Sequence, residues 1–283
     1  PDEEFTLGTL EYYNGTTYTG TNATNVQIAI DLDLTTPGVR ETLNFTFRLL
    51  STPNGGVDAN ADADYVYICE NETIHGTTFQ ELPNTKGKIL VADQSSMFLS
   101  KPCNVSDYGL IYAGVQKNVG PAGLVIVIIR EDLIRKDLDD IVPTYMRYDI
   151  HAESGSLYNT PNCWSIYVCG KVFKYLKNMG GLAVMQKRNE EKAAVLYDFL
   201  DSSKMFKGTV EKKYRSLMNV TFTTGDKELD AKVVAATKEA GFDNLKGHRS
   251  VGGLRASIYN AMPKEGVEAL VAFLEKFERE NQA

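Results

Sequence analysis

Y-A-G-V-Q-K-N-V-G-P-A-G-L-V-I-V-I-I, from Tyr112 to Ile129, sets a lysine between a glycine-rich loop and an unbroken apolar run. The run, residues 124–129, fits a strand covered on both faces, as in α/β sheets. Lys117 therefore stands close to an expected core. An amine partly removed from water there can serve as a nucleophile or Schiff-base former. The ordinary alternative is a solvated loop lysine, which is what most loop lysines are.

Working outward, short apolar runs recur at 65–69 (Y-V-Y-I-C), 87–93 (G-K-I-L-V-A-D) and 110–113 (L-I-Y-A). Strands with short connections and a polar residue at the end, such as Asp93, suggest an α/β sheet with a site at its strand ends. From residue 162 the period changes. Residues 163–179 have helical spacing and stop at Gly180-Gly181, and 182–200 predicts a second long helix. A strand at 217–222, a helix at 228–240 before Gly241, a strand at 253–259 and an amphipathic helix at 264–280 complete an α/β pattern. Trp164 and the Tyr and Phe residues of 163–175 are most simply read as core.

Upstream of Asp64 the style is different. Residues 26–34 and 43–49 alternate apolar and polar with period two, and T-T-P-G (35–38) between them is turn chemistry. Residues 52–64 read as a loop or linker. Asp58, Asp62 and Asp64 lack the central glycine and terminal glutamate of a calcium loop. The first 64 residues hold ten acidic and two basic residues (Arg40 and Arg48) and no lysine, a balance of −8; the remaining 219 balance at +1.

The net charge of −7 argues against a nucleic-acid partner. No apolar run approaches the ~20 residues of a membrane helix, and Pro1-Asp-Glu-Glu-Phe5 has no basic leader region. The four cysteines, Cys69, Cys103, Cys163 and Cys169, show no C-x-x-C spacing, and with only three histidines no metal site is expected. Reduced thiols in the cytoplasm are the default.

Five segments fall into a recognisable order: N-E-T-I-H-G (71–76), V-A-D-Q-S-S (91–96), Gln116-Lys117, Y-N-T-P (158–161), and K-G-H-R-S-V-G-G-L-R-A-S-I-Y-N-A (246–261). Over residues 65–283 the chain resembles the phosphoserine aminotransferase family of pyridoxal-phosphate (PLP) enzymes. The resemblance implies a PLP-dependent transferase large-domain portion at 65–161 and an α/β small C-terminal domain at 162–283, after a β-rich segment at 1–64. It further implies transamination between phosphoserine/3-phosphohydroxypyruvate and glutamate/2-oxoglutarate, by a cytoplasmic homodimer.

Residue by residue, Lys117 matches the Schiff-base lysine, and Asp93 the carboxylate that faces the pyridine nitrogen and keeps the ring an electron sink. Thr73 and Gln116 match cofactor-holding positions. Asn159 and Thr160 match residues that reach the cofactor phosphate of a neighbouring subunit. His248 and Arg249 match the pair on the substrate phosphate. Arg255 matches the arginine that forks onto the α-carboxylate, a geometry lysine cannot supply. Read alone, Asp93 is equally a helix N-cap and His248-Arg249 an ordinary surface pair. Arg255, inside an apolar run, is harder to read as bland, because an unpaired charge there is costly.

Residues 1–64 do not resemble the family's opening segment, which supplies the phosphate cup, a ring-stacking aromatic residue and a further substrate arginine. They weakly resemble a β-rich domain of anchored surface proteins, and the compositional break suggests a junction of unrelated sequences. Three readings stay open: an aminotransferase acting on phosphoserine, an inactive aminotransferase remnant joined to a β-rich binding or surface module, or another PLP enzyme of the same fold with different substrate anions, over which the His248-Arg249 pair favours the first.

Overall fold

The computed structural model describes residues 26–33, 40–47, 63–137 and 142–281. The chain divides into two compact units, Pro1–Asp64 and Tyr65–Ala283. In the first, β1 (Val26–Asp33) pairs antiparallel with β2 (Arg40–Phe47), Val26 opposite Phe47. The turn expected at 35–38 and most of the loop at 52–64 lie outside the described residues.

The second unit opens with a four-stranded sheet. β3 (Tyr65–Cys69) is followed by the small hairpin β4 (Asn71–Glu72) and β5 (Thr77–Thr78), then by β6 (Ile89–Asp93), β7 (Leu110–Gly114) and β8 (Val125–Ile129). The order is β3-β6-β7-β8. β3, β6 and β7 run parallel, and β8 is antiparallel to β7 at the edge. One face carries Ile68, Leu90, Ala92, Ile111 and Ala113, closed off by Phe98, Tyr108, Val115, Val119 and Cys169.

The opposite face is not covered by the described residues. Tyr65, Tyr67, Val125 and Val127 project from it into solvent, Val125 with 57% of its surface exposed. This corrects the expectation that 124–129 is buried on both sides. β-branched residues favour a pleated strand whichever side is wet, and the register puts Val125 opposite Gly114 and Val127 opposite Tyr112, on the open face. The alternate residues, Leu124, Ile126 and Ile128, pack on the core.

After the short helix α1 (Tyr148–Glu153) come α2 (Cys163–Asn178) and α3 (Gly181–Ser202). Asn162 starts α2 by accepting from the Ser165 N–H at 3.1 Å. Gly180, at φ +110°, supplies the left-handed residue that ends it. Cys169 turns α2 toward the sheet core, but Trp164 (67% exposed), Tyr167, Phe173 and Tyr175 point outward. The reading of these aromatics as core is thus corrected: helical spacing fixes which residues share a stripe, not which stripe finds a partner.

The C-terminal portion is a three-stranded antiparallel sheet in the order β11-β10-β9, from β9 (Lys207–Gly208), β10 (Asn219–Thr223) and β11 (Leu254–Ser257), with α4 (Lys227–Glu239) and α5 (Lys264–Asn281). Leu196 and Leu200 of α3, Phe206, Val220 and Phe222, Val233, Leu254, and Leu274 and Phe277 form its core. No helix among the described residues is long and apolar enough to cross a membrane.

Candidate active site

The ends of three strands set the first part of the site. Asp93 closes β6, paired with Cys69 on one side and Tyr112 on the other. Its carboxylate accepts the Ser95 N–H at 2.8 Å and so shapes the turn after the strand, the capping role that is the bland reading of this residue, here on a turn rather than a helix. Tyr112 and Tyr67 share a hydrogen bond of 2.8 Å between their hydroxyls. Burial, the Tyr67 hydroxyl and then the Asp93 carboxylate all push the Tyr112 phenol up. The Cys69 thiol is pushed up to about 11, first by burial and then by Asp93 and Glu72, while Lys117 pulls the other way. Cys69 thus lies within the fields of both Asp93 and Lys117, and stays a thiol at neutral pH.

Lys117 follows β7 on the glycine-containing turn. Its side chain is half-buried, not a freely solvated loop lysine, and its Nζ donates to Thr73 Oγ1 at 3.2 Å. The ring of Tyr259 lies 5.7 Å from the same Nζ. Arg255, on β11 opposite Thr221, reaches the backbone of the same threonine: its Nη1 donates to the Thr73 carbonyl at 3.4 Å. Thr73 therefore touches Lys117 through its hydroxyl and Arg255 through its carbonyl. The Arg255 Nε is buried with no hydrogen-bond partner. A buried guanidinium donor left unmade is expensive, so the group fits an incoming anion, the role that sequence resemblance implies for a substrate carboxylate. Gln116 is exposed and folds back over Gly114, where an added Cβ would stand 2.8 Å from its Oε1.

His248 and Arg249 ride on a tight loop beside β11. Lys246 bridges Leu254, and the Gly247 N–H donates to the Gly253 carbonyl at 2.9 Å. Only glycine fits at 247, where a Cβ would stand 1.9 Å from the Gly252 carbonyl oxygen. His248 Nδ1 pairs with Ser250 Oγ at 2.7 Å, and Arg249 is exposed. Asn159 and Thr160 are exposed on the segment before α2, where Asn159 Nδ2 donates to the Thr160 carbonyl at 3.3 Å. No contact among the described residues joins them to Lys117, Asp93 or Arg255.

The structure thus gathers Thr73, Lys117 and Arg255 directly, while Asp93 stands at a strand end between Cys69 and Tyr112. Cys69, Tyr67, Tyr112 and Tyr259 escaped the reading of the sequence. The first three were visible only as strand residues, and Tyr259 only as one letter of the 246–261 motif. Among the described residues no group of His, Cys, Asp and Glu could hold a metal ion. Asp58 and Asp62, of the weak calcium motif, lie outside them.

Comparison with known proteins sets this geometry in context. The family model of class-V aminotransferases matches residues 57–270. The phosphoserine aminotransferase of Mannheimia succiniciproducens is 53% identical over 221 residues, 77% of this chain and 60% of that protein. Among solved structures, phosphoserine aminotransferase from Bacillus circulans subsp. alkalophilus superposes with a TM-score of 0.76 at 45% identity, over 78% of this chain and 62% of that one. PLP-bound phosphoserine aminotransferase from Trichomonas vaginalis gives 0.72 at 41% identity, over 76% and 61%. The chain spans about 60% of the length of the curated bacterial relative it matches.

Proposed function

This chain belongs to the class-V aminotransferase family, and from that premise we propose that its site serves PLP-dependent transamination between phosphoserine/3-phosphohydroxypyruvate and glutamate/2-oxoglutarate, a step of serine biosynthesis in the cytoplasm. The observation that carries the reading is the convergence on Thr73 of Lys117, at 3.2 Å, and Arg255, at 3.4 Å. An amine and a guanidinium are thereby set around one small space, with a carboxylate at the adjacent strand end.

The residues present fit the cofactor. Lys117 supplies the amine that would hold it, Asp93 the anion for its ring nitrogen, and Thr73 and Gln116 flanking polar groups. When bound, PLP supplies an electron sink for negative charge at the substrate Cα. The chain's own groups do the rest. Lys117 Nζ carries the proton to and from that carbon. The Arg255 fork, with its unpartnered Nε, orients the α-carboxylate and so fixes which Cα bond faces the amine. His248 and Arg249 hold the distal phosphate. Asn159 and Thr160, exposed and without a contact to Lys117 among the described residues, act on a second copy in a homodimer. In this reading residues 65–161 form the cofactor-binding portion, residues 162–283 the small domain, and residues 1–64 stand apart from the family.

Incubation with PLP, borohydride reduction and peptide mapping tests the central assignment. The cofactor's mass is expected on Lys117 and lost in Lys117→Ala; a label on another lysine removes the assignment. In turnover assays Arg249→Ala should weaken phosphoserine by roughly tenfold to a hundredfold, the weight of a charge-assisted hydrogen bond. A non-phosphorylated amino acid should lose much less, and equal losses would make Arg249 structural. A second reading, an aminotransferase portion without turnover of its own, is favoured by the sheet face left uncovered among the described residues. Labelling of Lys117 without turnover would establish it.

A further inference from the structure

Tyr259 has no part in the chemistry described above, yet two elements of the fold hold it. Its hydroxyl accepts from Asn219 Nδ2 on β10 at 3.0 Å. Its carbonyl accepts from Lys192 Nζ on α3 at 2.8 Å. Its neighbours are fixed as well. The Ile258 N–H donates to the Met218 carbonyl at 2.8 Å, and the Asn260 N–H donates to Asn118 Oδ1 at 2.9 Å. Asn118 is the residue after Lys117, and its Nδ2 is anchored on the Phe98 carbonyl at 3.0 Å. Two consecutive residues of the C-terminal portion, 259 and 260, thus grip two consecutive residues of the turn after β7, 117 and 118.

We propose that Tyr259 is a positioning residue for Lys117: its ring face attracts the ammonium and, with Thr73 Oγ1 on the other side, fixes where Nζ sits before any ligand arrives. The geometry supports it, because 5.7 Å from nitrogen to ring centroid is within the range of a cation–π contact. A lysine stem has four rotatable bonds and disperses over many rotamers when only one contact holds it. The hydroxyl of Tyr259, tied to Asn219, prevents the ring from swinging away. The same contact has a chemical consequence: an amine held against the ring and Thr73 Oγ1 is less free to meet a reagent from solution.

The role of Lys117 as nucleophile rests on the aminotransferase reading; the ring contact itself is tested without cofactor or substrate. Phenylalanine and its mono-, tri- and pentafluorinated analogues would be placed at position 259 of the full chain. Fluorination drains the negative charge from the ring face while changing its shape little. Trace acetylation at one fixed pH, quantified by peptide mass spectrometry, would give the rate at Lys117 relative to exposed Lys238. The relative rate is expected to climb with each fluorination and to reach roughly two- to fivefold across the series, the weight of a partly exposed cation–π contact. A flat series, at unchanged melting temperature, overturns the proposal. Failure of PLP to label Lys117 would strike the functional reading and leave this series unaffected, so the two can fail separately.

Discussion

Lys192 is a cation in an environment that opposes its charge. It is 2% exposed, donates to the carbonyls of Tyr259 and Met262, and desolvation lowers its pKa from 10.5 to about 8. Below pH 8 the folded and unfolded chains both carry the ammonium, and the fold bears the full cost of burying it. Between about 8 and 10.5 the folded chain releases its proton while the unfolded chain keeps it, so stability rises with pH. Relative to Lys192→Met, the native chain is expected to gain up to about 3 kcal/mol across that interval. Paired thermal melts at pH 7.5 and 9.5 check this, because groups common to both proteins cancel; a constant gap would contradict it. At this scale the sequence singles out residues whose type carries distinctive chemistry, as with Lys117 and Arg255, which both contact Thr73. It was opaque where the partner is remote: nothing local ties Tyr259 to Lys117, because 142 residues separate the ends of the Asn118–Asn260 contact that seats it.

Among the elements, periodicity found the longer strands and helices of the second unit to within a few residues, while the short β4, β5, β9 and α1 went unread because two to six residues carry no period. It could not find their surroundings. β8 and α2 were both read as buried because both are apolar, and in each only one face packs. N-caps are local features, since the acceptor and the donors it serves lie within three residues. Asp226 begins α4 in this way, accepting from the N–H groups of Glu228 and Leu229 at 2.8 and 2.9 Å. Asp226→Ala should therefore cost about 1 kcal/mol, whereas Asp226→Ser should recover most of the loss. Both follow from denaturant midpoints at constant m-value. Equal losses for the two substitutions would mean that the carboxylate matters for its charge at the helix terminus and not for its hydrogen bonds.

Across the whole second unit, a buried polar seam joins the strand sheet to the C-terminal portion. Asn71 Nδ2 donates to Ser96 Oγ at 2.7 Å and to Asn219 Oδ1 at 3.0 Å, and Ser216 Oγ donates to Asn71 Oδ1 at 2.5 Å. Asn219 Nδ2 continues the seam to Ser257 and Tyr259. Both asparagines head N-x-T sequons, yet both are buried and fully engaged. Removing the shared member leaves several buried groups unpaired at once. Asn219→Ala is accordingly expected to cost roughly 2–4 kcal/mol, more than one ordinary hydrogen bond. In a calorimeter the native second unit should melt in a single transition, and this variant earlier. A variant that melts like the native chain would show the seam to be dispensable.

The same seam sets a clock on biosynthesis. Asn71 is made 148 residues before the asparagine that completes its hydrogen bonds. At ribosomal rates of 5–20 residues per second, the wait lasts roughly 7–30 s. Strand pairing and collapse onto the Ile68–Ile111 side take far less time than that. From the synthesis of β8 until Asn219 follows, the emerging chain therefore holds a formed apolar sheet, a hydrated Asn71 and no second half to close over it. That interval is when a chaperone has the most surface to hold.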